Sequence, residues 1–141
     1  MRRVDYNCFC SLQASNMKLR IKGNSIRLRL SQTEVYGFEK NAKTEDSISF
    51  GSRRLTYVLI ADKEAAETHA RFENERIEIL VPASIAEQWT KTSQIGFSAE
   101  QKLSDNETLK ILVEKDFACL TVREGEDESD AFPHPNMGQA C

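Results

Sequence analysis

MKLRIKGNSIRLRL, residues 17–30, alternates charged and apolar side chains with a period of two on both sides of Gly23-Asn24. That period belongs to a strand with one buried face, because successive side chains point to opposite sides of a sheet. Leu19 and Ile21 share one face, as do Ile26, Leu28 and Leu30. Gly and Asn tolerate the positive φ that a tight hairpin turn demands. The stretch therefore predicts an antiparallel hairpin whose polar face gathers Lys18, Arg20, Lys22, Arg27 and Arg29. Five like charges on one hairpin repel unless an anion or acidic groups neutralise them. These five are the candidate anion-binding residues.

Beyond the hairpin the period changes. Ser31 followed by Glu34 has the spacing of a capping box, and Val35 and Phe38 suit the buried side of a short helix. Residues 45–50 and 54–61 read as another strand pair, and Asp62 to Thr68 as a polar connection. The second half repeats the plan. A weak strand over 69–73 and a turn at Asn74-Glu75 lead to a strand from Arg76 to Val81. Pro82 then suits the start of a helix, with Ile85 and Trp89 on its buried face. A strand opening at Ile95 and Phe97 turns near Asp105-Asn106. The last strand carries Leu109, Ile111 and Val113 inward and runs on toward Leu120.

At an offset of about fifty residues, Ile26, Leu28 and Leu30 align with Ile77, Ile79 and Val81, and Phe38 aligns with Trp89. Leu55, Tyr57, Leu59 and Asp62 align with Leu109, Ile111, Val113 and Asp116. The expected fold is α+β: a largely antiparallel sheet with two short helices packed on it. An internal ββαββ duplication would close it as a pseudo-twofold barrel or leave an open sheet. Residues 1–16 lack periodicity and read as an extension before a start at Met17. Residues 17–123 read as one domain and 124–141 as an acidic, then Pro-containing tail.

Charge is divided unevenly. Residues 1–60 hold eleven Lys/Arg against five Asp/Glu, a net of +6; residues 61–141 hold eight against seventeen, a net of -9. The halves either attract each other or keep a basic surface for an anionic partner. Glu124, Glu126, Asp127, Glu128 and Asp130 form an acidic run that could fold back onto the hairpin as an internal partner. The cysteines, Cys8, Cys10, Cys119 and Cys141, lack zinc-site spacing, and with no secretion signal apparent they point to a reducing cytoplasm. No run reaches the ~20 apolar residues of a membrane span. No catalytic residue, metal ligand or cofactor is indicated; the partner is an anionic ligand, a protein or a second copy of the chain, with no membrane.

Two short resemblances bear on the anion. The segment KGNSIRLRL, residues 22–30, resembles the opening of the swapped-hairpin DNA-binding modules of antitoxins and transition-state regulators, which implies a nucleic-acid partner. Arg27-Leu28-Arg29, Leu55-Thr56-Tyr57 and Arg76-Ile77-Glu78 are similar to the alternating lining of triphosphate-tunnel enzymes, which implies phosphate-ester or polyphosphate hydrolysis. That family's first strand carries Glu-x-Glu-x-Lys, whereas this one carries Lys18, Arg20 and Lys22. Over residues 17–135, MKLRIKGNSIRLRL, LKILVEKDFACL and EDESDAFPHP together resemble a family of small bacterial proteins of unassigned function. The expected role is a small binding or accessory module, without catalysis, that uses the basic hairpin for an anionic partner or for its own tail.

Overall fold

The computed structural model describes residues 17–117, 130, 132 and 133. Its elements follow in the order β1 (Lys18–Lys22), β2 (Ser25–Leu30), α1 (Gln32–Asn41), β3 (Lys43–Ser49), β4 (Arg54–Asp62), β5 (His69–Glu73), β6 (Arg76–Pro82), α2 (Ala83–Lys91), β7 (Gly96–Ser104) and β8 (Glu107–Lys115). The α+β class stands. The strands form two four-stranded sheets, ordered β1-β2-β8-β7 and β3-β4-β6-β5. Neither the closed barrel nor a single sheet forms.

Each half of the chain gives one hairpin to each sheet. The first hairpin lies in the first sheet, and α1 carries the chain across to the second. The second half starts in the second sheet and returns through α2. The sheets are completed by two parallel pairs, β2 with β8 and β4 with β6. In the first, Ile26 faces Ile111 and Leu28 faces Val113. In the second, Ile77 faces Tyr57 and Ile79 faces Leu59. The offset of about fifty residues therefore carries one set of cross-strand partners onto the other.

Local chemistry sets the element boundaries. The Ser31 side chain accepts from the Glu34 amide while the Glu34 carboxylate accepts from the Ser31 amide at 2.9 Å, a complete capping box for α1. Ala42 ends the helix in the left-handed conformation, with its N–H bonded to the Phe38 carbonyl. Pro82 caps α2 without a side-chain hydrogen bond. The last strand stops at Lys115, short of the sequence expectation, and Cys119 lies outside the described residues.

The core lies between the sheets and under the helices. Leu28, Leu30, Leu59, Ile79, Val81, Ile111 and Val113 come from the inner faces, and Phe38 and Trp89 come from the helices. Trp89 is fully buried. It packs edge-on against Phe38, with centroids 6.1 Å apart, and against Phe97 at 5.4 Å. Ile85, expected on the buried face of α2, is only partly buried; Ala86 takes that place. No helix among the described residues is long and apolar enough to cross a membrane.

Two positions give tests. Gly96 faces Glu114 across β7 and β8, and a Cβ there would lie 2.5 Å from the Val113 carbonyl oxygen and 3.2 Å from the Glu114 Cα. Both are backbone atoms and cannot rotate away, so Gly96→Ala must push the strands apart. The expected cost is about 1–3 kcal/mol in urea unfolding; an unchanged midpoint would contradict the close approach.

Tyr57 donates its hydroxyl to the Met17 carbonyl at 2.8 Å. Burial, helped by the carboxylates of Asp46 and Glu34, pushes its phenol from 10.0 to about 12. The folded state then keeps a proton that the unfolded chain has lost. This contribution to stability is whole below pH 10 and is lost as pH climbs to about 12. In an alkaline titration followed by phenolate absorbance, Tyr57→Phe should remove an ionisation step at about 12. A titration curve that Tyr57→Phe leaves unchanged in that range would contradict it.

Candidate functional site

Strand pairing brings the five sequence-predicted cations onto one surface. Lys18 stands opposite Arg29 and Arg20 opposite Arg27, all on the outer face of the first sheet, while Leu28 and Ile26 turn inward opposite Leu19 and Ile21. Ile21 departs from the expected half-buried pattern. It lies on the inner face near the hairpin tip and is 62% exposed.

Acidic groups from elsewhere in the fold neutralise part of this surface. Asp116 pairs with Lys18 at 3.0 Å and with Arg29 at 3.5 Å, and Glu114 reaches Arg27 at 3.6 Å. The Arg29 Nε is buried with no hydrogen-bond partner among the described residues. Among the described residues, Arg20, Lys22 and Lys110 have no acidic partner within ion-pair distance. Lys110 joins the face because the parallel pairing of β2 with β8 sets it beside Ser25. These three cations, with Arg27, Ser25, Ser98 and Glu100, line a depression of about 470 Å³. Glu100 is the one carboxylate there among the described residues.

The other half supplies an internal comparison. The position of Arg20 opposite Arg27 in the first sheet is held in the second by Arg71 opposite Glu78. Arg71 Nε donates to the Glu78 carboxylate at 2.7 Å, and Arg76 donates to the same carboxylate at 2.8 Å. These bonds hold the Glu78 carboxyl below its usual range and raise both guanidiniums. Next along, Glu73 faces Arg76, where the first sheet has Lys22 and Ser25. The same four cross-strand places are thus neutral in one sheet (Arg71, Glu73, Arg76, Glu78) and carry three positive charges in the other (Arg20, Lys22, Ser25, Arg27). Like charges directly opposite in a sheet destabilise it, and opposite charges stabilise it.

A model of a family of unknown function, DUF7009, matches residues 17–136. The chain belongs to DUF7009. No curated protein matches it. In this DUF7009 chain the matched region takes in both sheets, both helices and the described part of the tail.

The acidic run lies outside the described residues except for Asp130. Asp130 docks at the start of α1: its carbonyl accepts from the Gln32 amide at 2.9 Å and its carboxylate from the Thr33 amide at 3.2 Å. Phe132 follows, donating its N–H to the Asp116 carbonyl and meeting Phe117 edge-on with centroids 5.6 Å apart. The described tail thus reaches the helix start and the end of β8, away from the Gly23-Asn24 tip. His134 lies outside the described residues.

Sequence reasoning missed Lys110, Ser25, Ser98, Glu100, Glu114 and Asp116 as members of the basic face or its counterions. It also missed Lys115, a buried lysine whose ammonium donates to the Thr92 carbonyl at 2.8 Å and lies 6.0 Å from the Trp89 ring and 5.3 Å from the Phe132 ring. Burial lowers its pKa. Among the described residues, no group of three or more His, Cys, Asp or Glu converges to hold a metal ion.

Proposed function

We propose that this chain is a small intracellular binding module, of bacterial origin, whose basic sheet face takes up a phosphate- or carboxylate-bearing partner. The carrying observation is the Arg20–Arg27 cross-strand pairing, like charges set opposite each other at a place where the other sheet has an ion pair. An anion seated between the two guanidiniums would relieve it, because a guanidinium offers a planar fork of donors to phosphate or carboxylate oxygens. Lys22 and Lys110 would add charge, and Ser25 and Ser98 neutral hydroxyls. The cytoplasmic setting rests on the cysteine reading of the sequence. Descent of the halves from one duplicated ββαββ unit is part of the same proposal; the shared pairing register supports it.

A thermal-shift titration tests it, with tripolyphosphate, a nucleotide with magnesium, and short DNA, each at two salt concentrations. Tripolyphosphate should stabilise the chain, by about 2.7 kcal/mol at a hundredfold excess over Kd. Lys22→Glu together with Lys110→Glu should remove the response. If DNA alone stabilises, with a steep loss in salt from counterion release, the partner is nucleic acid. No response to any anion overturns the proposal. Turnover of the nucleotide or tripolyphosphate would mark an enzyme instead.

A further inference from the structure

The pairings that build the first sheet order its outer face into rows that cross all four strands. One row runs Arg20, Arg27, Leu112, Ser98, and the next, toward the hairpin tip, runs Lys22, Ser25, Lys110, Glu100. Neighbouring strands lie about 4.8 Å apart, so each row spans roughly 14 Å. On the other side the row Lys18, Arg29, Glu114, Gly96 has both its cations paired by Asp116.

The two open rows are polar at both ends, but the ends differ in chemistry. Long cationic side chains stand on β1 and β2, the half-buried Leu112 lies between, and β7 presents a hydroxyl and a carboxylate. Ser25 and Ser98 are short beside their taller neighbours, and the depression of about 470 Å³ lies over them. That volume is in the range of small-molecule sites. Glu100 is the unexpected member. Lys110 faces it directly and Lys102 follows two places along on the same face, yet among the described residues neither comes within ion-pair distance of it. A carboxylate left open in this way repels a bare anion and offers hydrogen-bond acceptors only.

The ligand that suits both ends carries an anion on one side and hydroxyl donors on the other. We infer that the depression takes a sugar phosphate: the phosphate sits between Arg20 and Arg27 with Lys22 beside it, the sugar ring lies over Leu112, and its hydroxyls donate to Glu100. A carboxylate is the acceptor that holds ribose hydroxyls in dinucleotide-binding folds too. The span fits, because β8 alone separates Arg27 on β2 from Glu100 on β7, about 10 Å, and both side chains are long enough to reach over it. This ligand rests on the anion site of the outer face and supplies the chemistry of its other end.

Amide chemical-shift titrations with ribose 5-phosphate, 2-deoxyribose 5-phosphate, inorganic phosphate, tripolyphosphate and AMP test it. Ribose 5-phosphate should bind about tenfold tighter than inorganic phosphate, and the deoxy sugar, one donor short, should fall between them. Glu100→Ala, at an exposed position, should abolish that preference while strengthening tripolyphosphate binding severalfold, because a repulsion is removed; circular dichroism checks that the variant folds. AMP binding at least as tightly as ribose 5-phosphate would assign the sugar phosphate to a nucleotide, and weaker AMP binding to a free sugar phosphate. Ribose 5-phosphate no tighter than inorganic phosphate, or a preference that survives Glu100→Ala, overturns the inference while tripolyphosphate binding still supports the anion site. If no phosphate compound binds, tripolyphosphate included, the anion site fails and the sugar phosphate with it.

Discussion

Trp89→Ala should cost about 3–5 kcal/mol of stability, a large part of the 5–15 kcal/mol that holds an ordinary domain together. Trp89 is fully buried where the two helices meet the first sheet, edge-on to both Phe38 and Phe97. Its indole N–H donates to the Ile95 carbonyl at 3.0 Å, and its ring neighbours the Lys115 ammonium. Truncation leaves a cavity at the junction of α1, α2 and β7 and strips an aromatic neighbour from a buried cation. The melting temperature, followed by circular dichroism, should fall on the order of 10–20 °C. Trp89→Phe keeps most of the ring contact and should lose less than half as much. Equal loss in the two variants would locate the effect in the indole hydrogen bond, and a small loss in both would contradict the placement of Trp89 in the core.

Arg20→Glu should raise stability while removing anion binding. Arg20 is exposed and has no acidic partner among the described residues, whereas Arg27 directly across from it keeps Glu114. Reversal at residue 20 replaces a like-charge pair with the arrangement that the second sheet has at Arg71 and Glu78. A solvent-exposed cross-strand ion pair contributes about 0.2–1 kcal/mol, and the relief of repulsion adds to it. The anion-free protein should therefore melt slightly higher, an effect that shrinks in high salt as screening sets in. For the ligand, the change removes one attraction and introduces one repulsion. At about 1–2 kcal/mol each near a protein surface, affinity for tripolyphosphate should fall on the order of 100-fold. A gain in stability joined to a loss of binding marks a position kept for function. Lower stability in the absence of ligand would mean that Arg20 already has a partner that holds the hairpin together.

What could be read from the residues was local. The hairpin over 17–30 was legible because period-two alternation and Gly23-Asn24 point to the same geometry. The Ser31–Glu34 capping box was legible because both its bonds lie within one turn, and Phe38 and Trp89 because they are large apolar residues at helical spacing. The division into two sheets was not. It depends on β2 meeting β8, and β4 meeting β6, in parallel across long stretches of chain, and alternation in one strand says nothing about which strand lies beside it.

The same gap separates the predicted site from the observed surface. Five cations could be aimed at one face from sequence alone, but the acids that quiet three of them arrive from β8 and the residue after it. Lys18 and Arg29 share Asp116, and Arg27 has Glu114. What is left shifts the candidate site toward the hairpin tip, to Arg20 and Lys22 with Lys110. Ile21 was misjudged because its burial depends on whether the sheets close at their far end, and they do not.

The most direct measurement is an amide chemical-shift titration of isotope-labelled protein with tripolyphosphate, because it shows where the anion lands. Saturable shifts concentrated at Arg20, Lys22, Ser25, Arg27, Ser98 and Lys110 are the predicted result. Shifts confined to other surfaces, such as the start of α1 near Thr33, or no saturable shift anywhere, would contradict an anion site on the outer face of the first sheet.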